Sequence, residues 1–164
     1  MTDATKFVIS RTLNAPLDRV WRAWTEAEQM AAWWGPKGFK SDVKTLDLRP
    51  GGLFHYRLDS PQGQQMWGRM VFREIVPKER LVFINSFSDE MGGLTSHPLA
   101  PDWPQQTYTT ITFSEENGKT TVTVEWVPFE ATALECETFD QGRDSMQAGW
   151  TGTFDKLESH LDEA

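Results

Sequence analysis

The sequence predicts an α+β fold in which a curved, seven-stranded antiparallel sheet wraps around a long C-terminal helix, with two short helices after the first strand. Three observations carry this. Residues 39–128 are runs of alternating residues separated by turn chemistry, the pattern of antiparallel strands. Near the C-terminus Phe139, Arg143, Met146, Trp150, Phe154, Leu157 and Leu161 are spaced 4, 3, 4, 4, 3 and 4. Such spacing is one continuous stripe on a helix of about seven turns. Between the opening strand and the strand-rich region lie two short segments with helical spacing.

Taken in order, Phe7-Val8-Ile9-Ser10-Arg11-Thr12-Leu13 reads as the first strand, and Asn14-Ala15-Pro16 breaks it where a helix can start. Val20, Trp21 and Trp24 recur at helical spacing, and residues 27–34 form a second short helix stopped by Gly35-Pro36. Of Trp33 and Trp34, adjacent and about 100° apart on a helix, one can enter the core while the other sits at a cavity mouth or the surface. Turns are expected at Arg49-Pro50-Gly51-Gly52, Ser60-Pro61-Gln62-Gly63, Pro77-Lys78-Glu79 and Glu116-Asn117-Gly118, the last being the strongest hairpin signal. They delimit strands at 39–48, 53–59, 65–76, 80–88, 107–115 and 120–127. Residues 89–106, which include Met91-Gly92-Gly93, His97-Pro98 and Pro101-Asp102-Trp103-Pro104, make a connection far longer than a hairpin needs. Loops of that length in compact domains are functional lids or disordered segments.

Length and composition bound the function. The 164 residues are 38% hydrophobic, enough for one domain over 1–164 with a substantial core. No run approaches the roughly 20 apolar residues of a bilayer span, and MTDATKFVIS lacks a signal-peptide apolar region, so a cytoplasmic protein without membrane insertion is expected. One cysteine, Cys136, excludes an internal disulfide, and His55, His97 and His160 are too scattered for a metal-ligand set, so no metal or other cofactor is expected. The net charge of −8 argues against nucleic acid as a partner, because phosphate needs a basic face. Nine acids against two bases in residues 129–164 hold −7 of that charge, which reads as one solvated helix face.

Alternation assigns an inner face to most strands. Val122, Val124 and Trp126 point inward over Glu125, as do Phe54, Tyr56 and Leu58 over His55 and Arg57, Met66, Met70 and Phe72 over Arg69 and Arg73, and Ile111 and Phe113 over Thr112. The strand from Leu81 to Phe87 is apolar on both parities and stays undecided. Along the C-terminal helix Gly142, Ser145, Gly149 and Gly152 repeat at 3, 4 and 3 beside the apolar stripe. Each glycine costs about 1 kcal/mol of helix propensity against alanine, so either the sheet packs closely there or space is left for a ligand.

The order of elements is that of the helix-grip fold, and specific residues carry a family resemblance. Asn14-Ala15-Pro16 with Val20-Trp21 and Ala23-Trp24, Trp33-Trp34-Gly35-Pro36, Asp47-Leu48-Arg49-Pro50-Gly51-Gly52, Glu74-Ile75-Val76-Pro77 with Glu79-Arg80-Leu81, and Gly149-Trp150 with Leu157 and Leu161 run from about residue 7 to 161. In this the chain resembles the START-like (SRPBCC) superfamily, within it the family of activator of heat-shock-protein-90 ATPase homologues, in the form of a single-domain bacterial-type member. The resemblance implies a cavity between the sheet and the long helix, and a small hydrophobic ligand as partner.

Tyr56, Met70, Ile111, Trp126, Phe139, Arg143, Met146 and Trp150 are the candidate cavity-lining residues. Arg143 interrupts the apolar stripe, so it either pairs with an acid or the rim, or anchors an anionic or carbonyl group of a ligand. Tyr56 offers a phenol on the inner face. Nucleophilic catalysis finds no support: Cys136 sits between Glu135 and Glu137, the wrong electrostatics for a reactive thiolate, and no histidine is held in a cleft unless His97 enters with its loop. Arg49-Pro50-Gly51-Gly52 lacks the spacing and lysine of a phosphate loop and reads as a tight turn.

The reading that results is a non-enzymatic binding module for a hydrophobic or aromatic molecule. A cyclase- or hydrolase-type enzyme using the same cavity is the alternative, and a co-chaperone or protein-interaction role is a third, weakened because the eukaryotic-type activator carries a further N-terminal domain. A sheet edge and Trp103 in the long connection leave a homodimer open.

Overall fold

Among the described residues, eight strands and four helices follow one another as β1 (Phe7–Leu13), α1 (Leu17–Thr25), α2 (Ala27–Trp33), β2 (Lys40–Leu46), β3 (Leu53–Asp59), β4 (Gln65–Val76), β5 (Arg80–Ser88), β6 (Leu94–Thr95), β7 (Gln106–Glu116), β8 (Lys119–Pro128), α3 (Ala133–Gln141) and α4 (Arg143–Asp162). The structure, a computed structural model, describes residues 6–35, 38–95 and 100–162. Neighbouring strands are antiparallel in the order β1-β8-β7-β5-β4-β3-β2, with β6 alongside β5. This is the helix-grip arrangement: a sheet curved around one long helix.

Local chemistry explains the register. Asn117 and Gly118 both take positive φ, 54° and 77°, and close a two-residue hairpin in which Glu116 faces Lys119. From there β8 pairs β7 up to Thr107 opposite Pro128, while its other edge takes β1, with Phe7 opposite Trp126. The first strand is thereby stitched to the last. Register shifts between Val43 and Thr45 in β2 and between Phe72 and Glu74 in β4 add the local bends that help a sheet curl.

The concave face is filled from three sides. Phe54, Phe72, Phe83, Ile111, Phe113, Val122 and Val124 come from the sheet, Met146, Trp150, Phe154, Leu157 and Leu161 from α4, and Val20, Trp24, Met30 and Trp33 from α1 and α2; all are buried. Trp33 donates its indole N–H to the Ala23 carbonyl at 2.8 Å and meets Trp24 edge-on at 4.7 Å, which locks α2 against α1. Both Trp33 and Trp34 are buried, the first in the core and the second on the cavity described below. Leu81 and Phe83 belong to the concave face as well, which settles the strand whose alternation was ambiguous.

Three expectations need correction. The long connection contains β6, a two-residue strand in which Thr95 pairs with Phe87, so the sheet has an eighth, minor strand. The C-terminal helix is not continuous: α3 starts earlier than the apolar stripe, capped by Thr132 and Glu135 in a reciprocal capping box, and ends at Gly142 before α4 begins. Glycine stands at this junction for a steric reason, since a Cβ on Gly142 would lie 2.7 Å from the Trp103 ring, which occupies the space a side chain would need. Finally, His55 does point to the convex face but is buried there. The turn after β5 covers it, its Nε2 lies 3.2 Å from the Asp89 carbonyl oxygen, and its ring stacks on Trp67 at 5.1 Å.

The acidic face of α4 is also partly engaged rather than simply solvated. Arg11 of β1 bonds Asp155 and Glu158 at 3.1 and 3.0 Å while lying over the Phe154 ring, and Arg19 of α1 donates to the carbonyls of His160 and Leu161 at the helix C-terminus. These contacts orient α4 across the sheet. No described helix is long and apolar enough to cross a membrane. His97 and Pro36 lie outside the described residues, so the ideas attached to them have no structural counterpart here.

Candidate functional site

Between α4 and the concave sheet lies a cavity of about 490 Å³, within the range of small-molecule sites. The sheet supplies Tyr56 and Leu58 from β3, Met66 from β4, Asn85 and Phe87 from β5 and Trp126 from β8. Trp34 and Gly35 close one end, Ala100 and Trp103 of the long connection another, and Gly142, Ser145, Met146, Gly149, Trp150 and Thr153 form the helical wall. A recess of about 80 Å³ adjoins it and shares Tyr56, Asn85, Trp103 and Trp126.

The helical wall explains why there is space at all. Three of the four small residues noticed in the sequence, Gly142, Ser145 and Gly149, face this cavity. A Cβ built on Gly149 would meet nothing within 4 Å, so the missing side chain is empty volume rather than close packing. Gly142 is the opposite case, pressed by Trp103, whose ring also lies 5.6 Å from Phe139. The space for a ligand expected from sequence is thus present at Gly149, whereas the close contact at Gly142 is made by a side chain of the long connection rather than by the sheet. Thr153 bonds the carbonyls of Gly149 and Gly35, and Lys156 donates to the Phe39 carbonyl at 3.0 Å and approaches that of Gly35 at 3.4 Å. Together they fasten the Trp34–Gly35 wall to α4. Burial holds the Lys156 ammonium below its ordinary pKa.

Four tryptophans line the space: Trp34, Trp103, Trp126 and Trp150. Trp150 meets Trp34 at 5.9 Å and Trp126 at 5.7 Å, both edge-on. Among the described residues, none that lines the cavity carries a formal charge. Burial pushes the Tyr56 phenol up to about 12, and its hydrogen bond with the Trp34 indole opposes this only in part, so it is neutral at physiological pH. The ring is held against β4 because the residue paired with it is Gly68; a Cβ there would lie 2.5 Å from the phenol oxygen. Asn85 is fixed through its carbonyl oxygen, which accepts the hydroxyl proton of the fully buried Thr109 at 2.5 Å. Its amide nitrogen has no acceptor among the described residues. The indole nitrogen of Trp126 is likewise buried without a hydrogen-bond partner.

Of the eight residues singled out from sequence, Tyr56, Trp126, Met146 and Trp150 come together on this cavity. Met70, Ile111 and Phe139 lie elsewhere, in the packed core, at 2%, 0% and 0% exposure. Arg143 does not line the space either. Its guanidinium bonds Asp140 one turn back, with Nε 2.9 Å from the carboxylate, and donates to the Lys6 carbonyl at 2.7 Å. These partners hold Arg143, the first residue of α4, partly exposed beside the buried stripe.

Sequence reasoning missed Asn85, Phe87, Trp103 and Gly68 as parts of the site. Signals existed for two of them: a lone amide inside the apolar run Phe83-Ile84-Asn85-Ser86-Phe87, and a glycine within strand Met66-Trp67-Gly68-Arg69. Among the described residues no cluster of three or more His, Cys, Asp and Glu side chains could hold a metal ion.

Comparison with known proteins agrees with this geometry. A family model described as activator of Hsp90 ATPase homolog 1-like protein matches residues 14–162. No curated protein matches the chain. Among solved structures, a protein of Arthrobacter aurescens has a TM-score of 0.82 at 24% identity, with 99% of this chain and 88% of that chain covered. One from Mycobacterium smegmatis has 0.78 at 23% identity, covering 98% and 93%. A protein of the dynemicin biosynthetic locus has 0.65 at 20% identity, covering 96% of this chain and 47% of that one. At such identities the likeness is one of fold.

Proposed function

This chain belongs to the activator of Hsp90 ATPase homolog 1-like family, and on that premise we propose that it binds a small hydrophobic or aromatic molecule in the cavity between its sheet and its C-terminal helix. The observation that carries the reading is the open volume at Gly149. A helix interior that keeps a glycine facing about 490 Å³ of aromatic-lined space forgoes stability that alanine would supply, and a ligand site is a reason to forgo it. Tyr56, Trp126, Met146 and Trp150 contact the ligand, joined by Trp34, Asn85, Phe87 and Trp103. Binding is favoured over catalysis because, among the described residues, the one titratable side chain that lines the cavity is Tyr56, whereas acid–base chemistry asks for a pair with separated pKa values.

The test uses N-phenyl-1-naphthylamine, an uncharged probe that fluoresces in apolar surroundings. The wild type is expected to bind it saturably, one molecule per chain, and Gly149→Phe, which fills the cavity from the helix side, to lose that binding while unfolding cooperatively in urea. Equal binding by the folded variant would mean that the probe sits elsewhere and would refute the proposal.

A further inference from the structure

We infer, on the ligand-binding reading above, that the occupant of this cavity is an uncharged aromatic carbonyl compound, a ketone or quinone, whose oxygen takes the hydrogens offered by Asn85 and Trp126. The argument starts from what the cavity lacks. Among the described residues, none that lines the cavity is Lys, Arg, His, Asp or Glu. The two cations of α4 are committed elsewhere, Arg143 to Asp140 and the Lys6 carbonyl and Lys156 to backbone carbonyls around Gly35 and Phe39. A carboxylate, sulfonate or phosphate entering here would be desolvated with no counter-charge, and an ammonium group would find no carboxylate.

What the cavity does hold is a surplus of donors. Thr109 occupies the carbonyl oxygen of Asn85, so the amide N–H group is what remains for a ligand. Trp126, on the far side of β7 and paired there with Thr109, keeps a buried indole N–H with no acceptor. A buried donor left unsatisfied is costly, and a ligand oxygen removes that cost where a hydrocarbon cannot. On the acceptor side little is left. The Thr153 hydroxyl is directed at backbone carbonyls. With four tryptophans around the space, the ligand surface that fits is flat and aromatic, carrying acceptor oxygen but no charge.

Three probes of one ring size separate the possibilities: 2-acetonaphthone, 2-naphthoate and 2-ethylnaphthalene, each measured by equilibrium dialysis against the full chain at pH 7.5. The ketone is expected to bind about 10-fold more tightly than the hydrocarbon and at least about 10-fold more tightly than the carboxylate. Asn85→Leu should bring the ketone down to the hydrocarbon's affinity and leave 2-ethylnaphthalene within about 2-fold, which also shows that the variant is folded. Should that variant not fold, Trp126→Phe keeps the ring, removes the N–H and is expected to weaken the ketone selectively. Tighter or equal binding of 2-naphthoate, or equal binding of ketone and hydrocarbon, would overturn this inference while leaving the cavity-binding reading standing. Failure of all three probes to bind would overturn that reading and this inference with it.

Discussion

Replacing Gly149 by alanine is expected to stabilise the protein, an unusual outcome for a buried-face substitution. The position is the seventh residue of the 20-residue helix α4, where glycine costs about 1 kcal/mol relative to alanine through backbone entropy. Against that gain stands only the room the new methyl needs, and nothing lies within 4 Å of where it would sit. The Thr153 hydroxyl bonds the Gly149 carbonyl, which the change leaves in place. The net expectation is about 0.5–1 kcal/mol of added stability, or a melting temperature raised by about 1–4 °C at this chain length. Urea unfolding followed by tryptophan fluorescence checks it, with a higher midpoint and an unchanged slope. Gly142→Ala is the matched control: its methyl meets the Trp103 ring at 2.7 Å and should destabilise. If Gly149→Ala lowered the midpoint, packed atoms would fill the region described here as open, and the account of the cavity would fail at its base.

Three further predictions follow from the same geometry. Tyr56→Phe tests the pH dependence: below pH 10 the phenol is protonated in both states, but above it the unfolded chain ionises first, so stability should fall between pH 10 and about 12, by some 2–3 kcal/mol. Denaturant midpoints across that interval should show the loss in wild type and its absence in the variant. Gly68→Ala places a methyl 2.5 Å from the Tyr56 phenol, which must swing toward the cavity, at about 1–3 kcal/mol in stability and with weaker probe binding; an unchanged midpoint would contradict the pairing of this glycine with that ring. Arg143→Ala removes a half-exposed ion pair with Asp140 and should cost no more than about 1 kcal/mol while leaving N-phenyl-1-naphthylamine binding unchanged, whereas lost binding would return Arg143 to the site.

The elements were legible because their causes are local. Asn117-Gly118 can hardly be anything but a hairpin turn, since both residues tolerate positive φ, and two-residue alternation then dictates which side chains of β7 and β8 share a face. The stripe from Met146 to Leu161 is equally local, a matter of 3.6 residues per turn, and every member from Met146 onward is buried. The small-residue repeat on α4 was visible too, and so was the question it posed.

The answers were not local. Whether a glycine marks empty space or close contact depends on what stands opposite, and Gly149 and Gly142 differ only because Trp103, from the connection between β5 and β7, reaches one and not the other. Arg143 stays out of the buried stripe because Asp140 and the Lys6 carbonyl bind its guanidinium, and the second of these lies far away in sequence. Met70 and Ile111 share inward parity with Tyr56 and Trp126, yet they are packed core while the others border the cavity, since parity selects a face and curvature selects the depth beneath the helix. Sequence alone therefore determined the fold and the faces of its strands, because those follow from dihedral preference and periodicity, and its motifs carried the family resemblance. Tertiary structure decided which of the inward residues meet a ligand, because a cavity is defined by the atoms that fail to fill it, and these come from chain segments far apart in sequence.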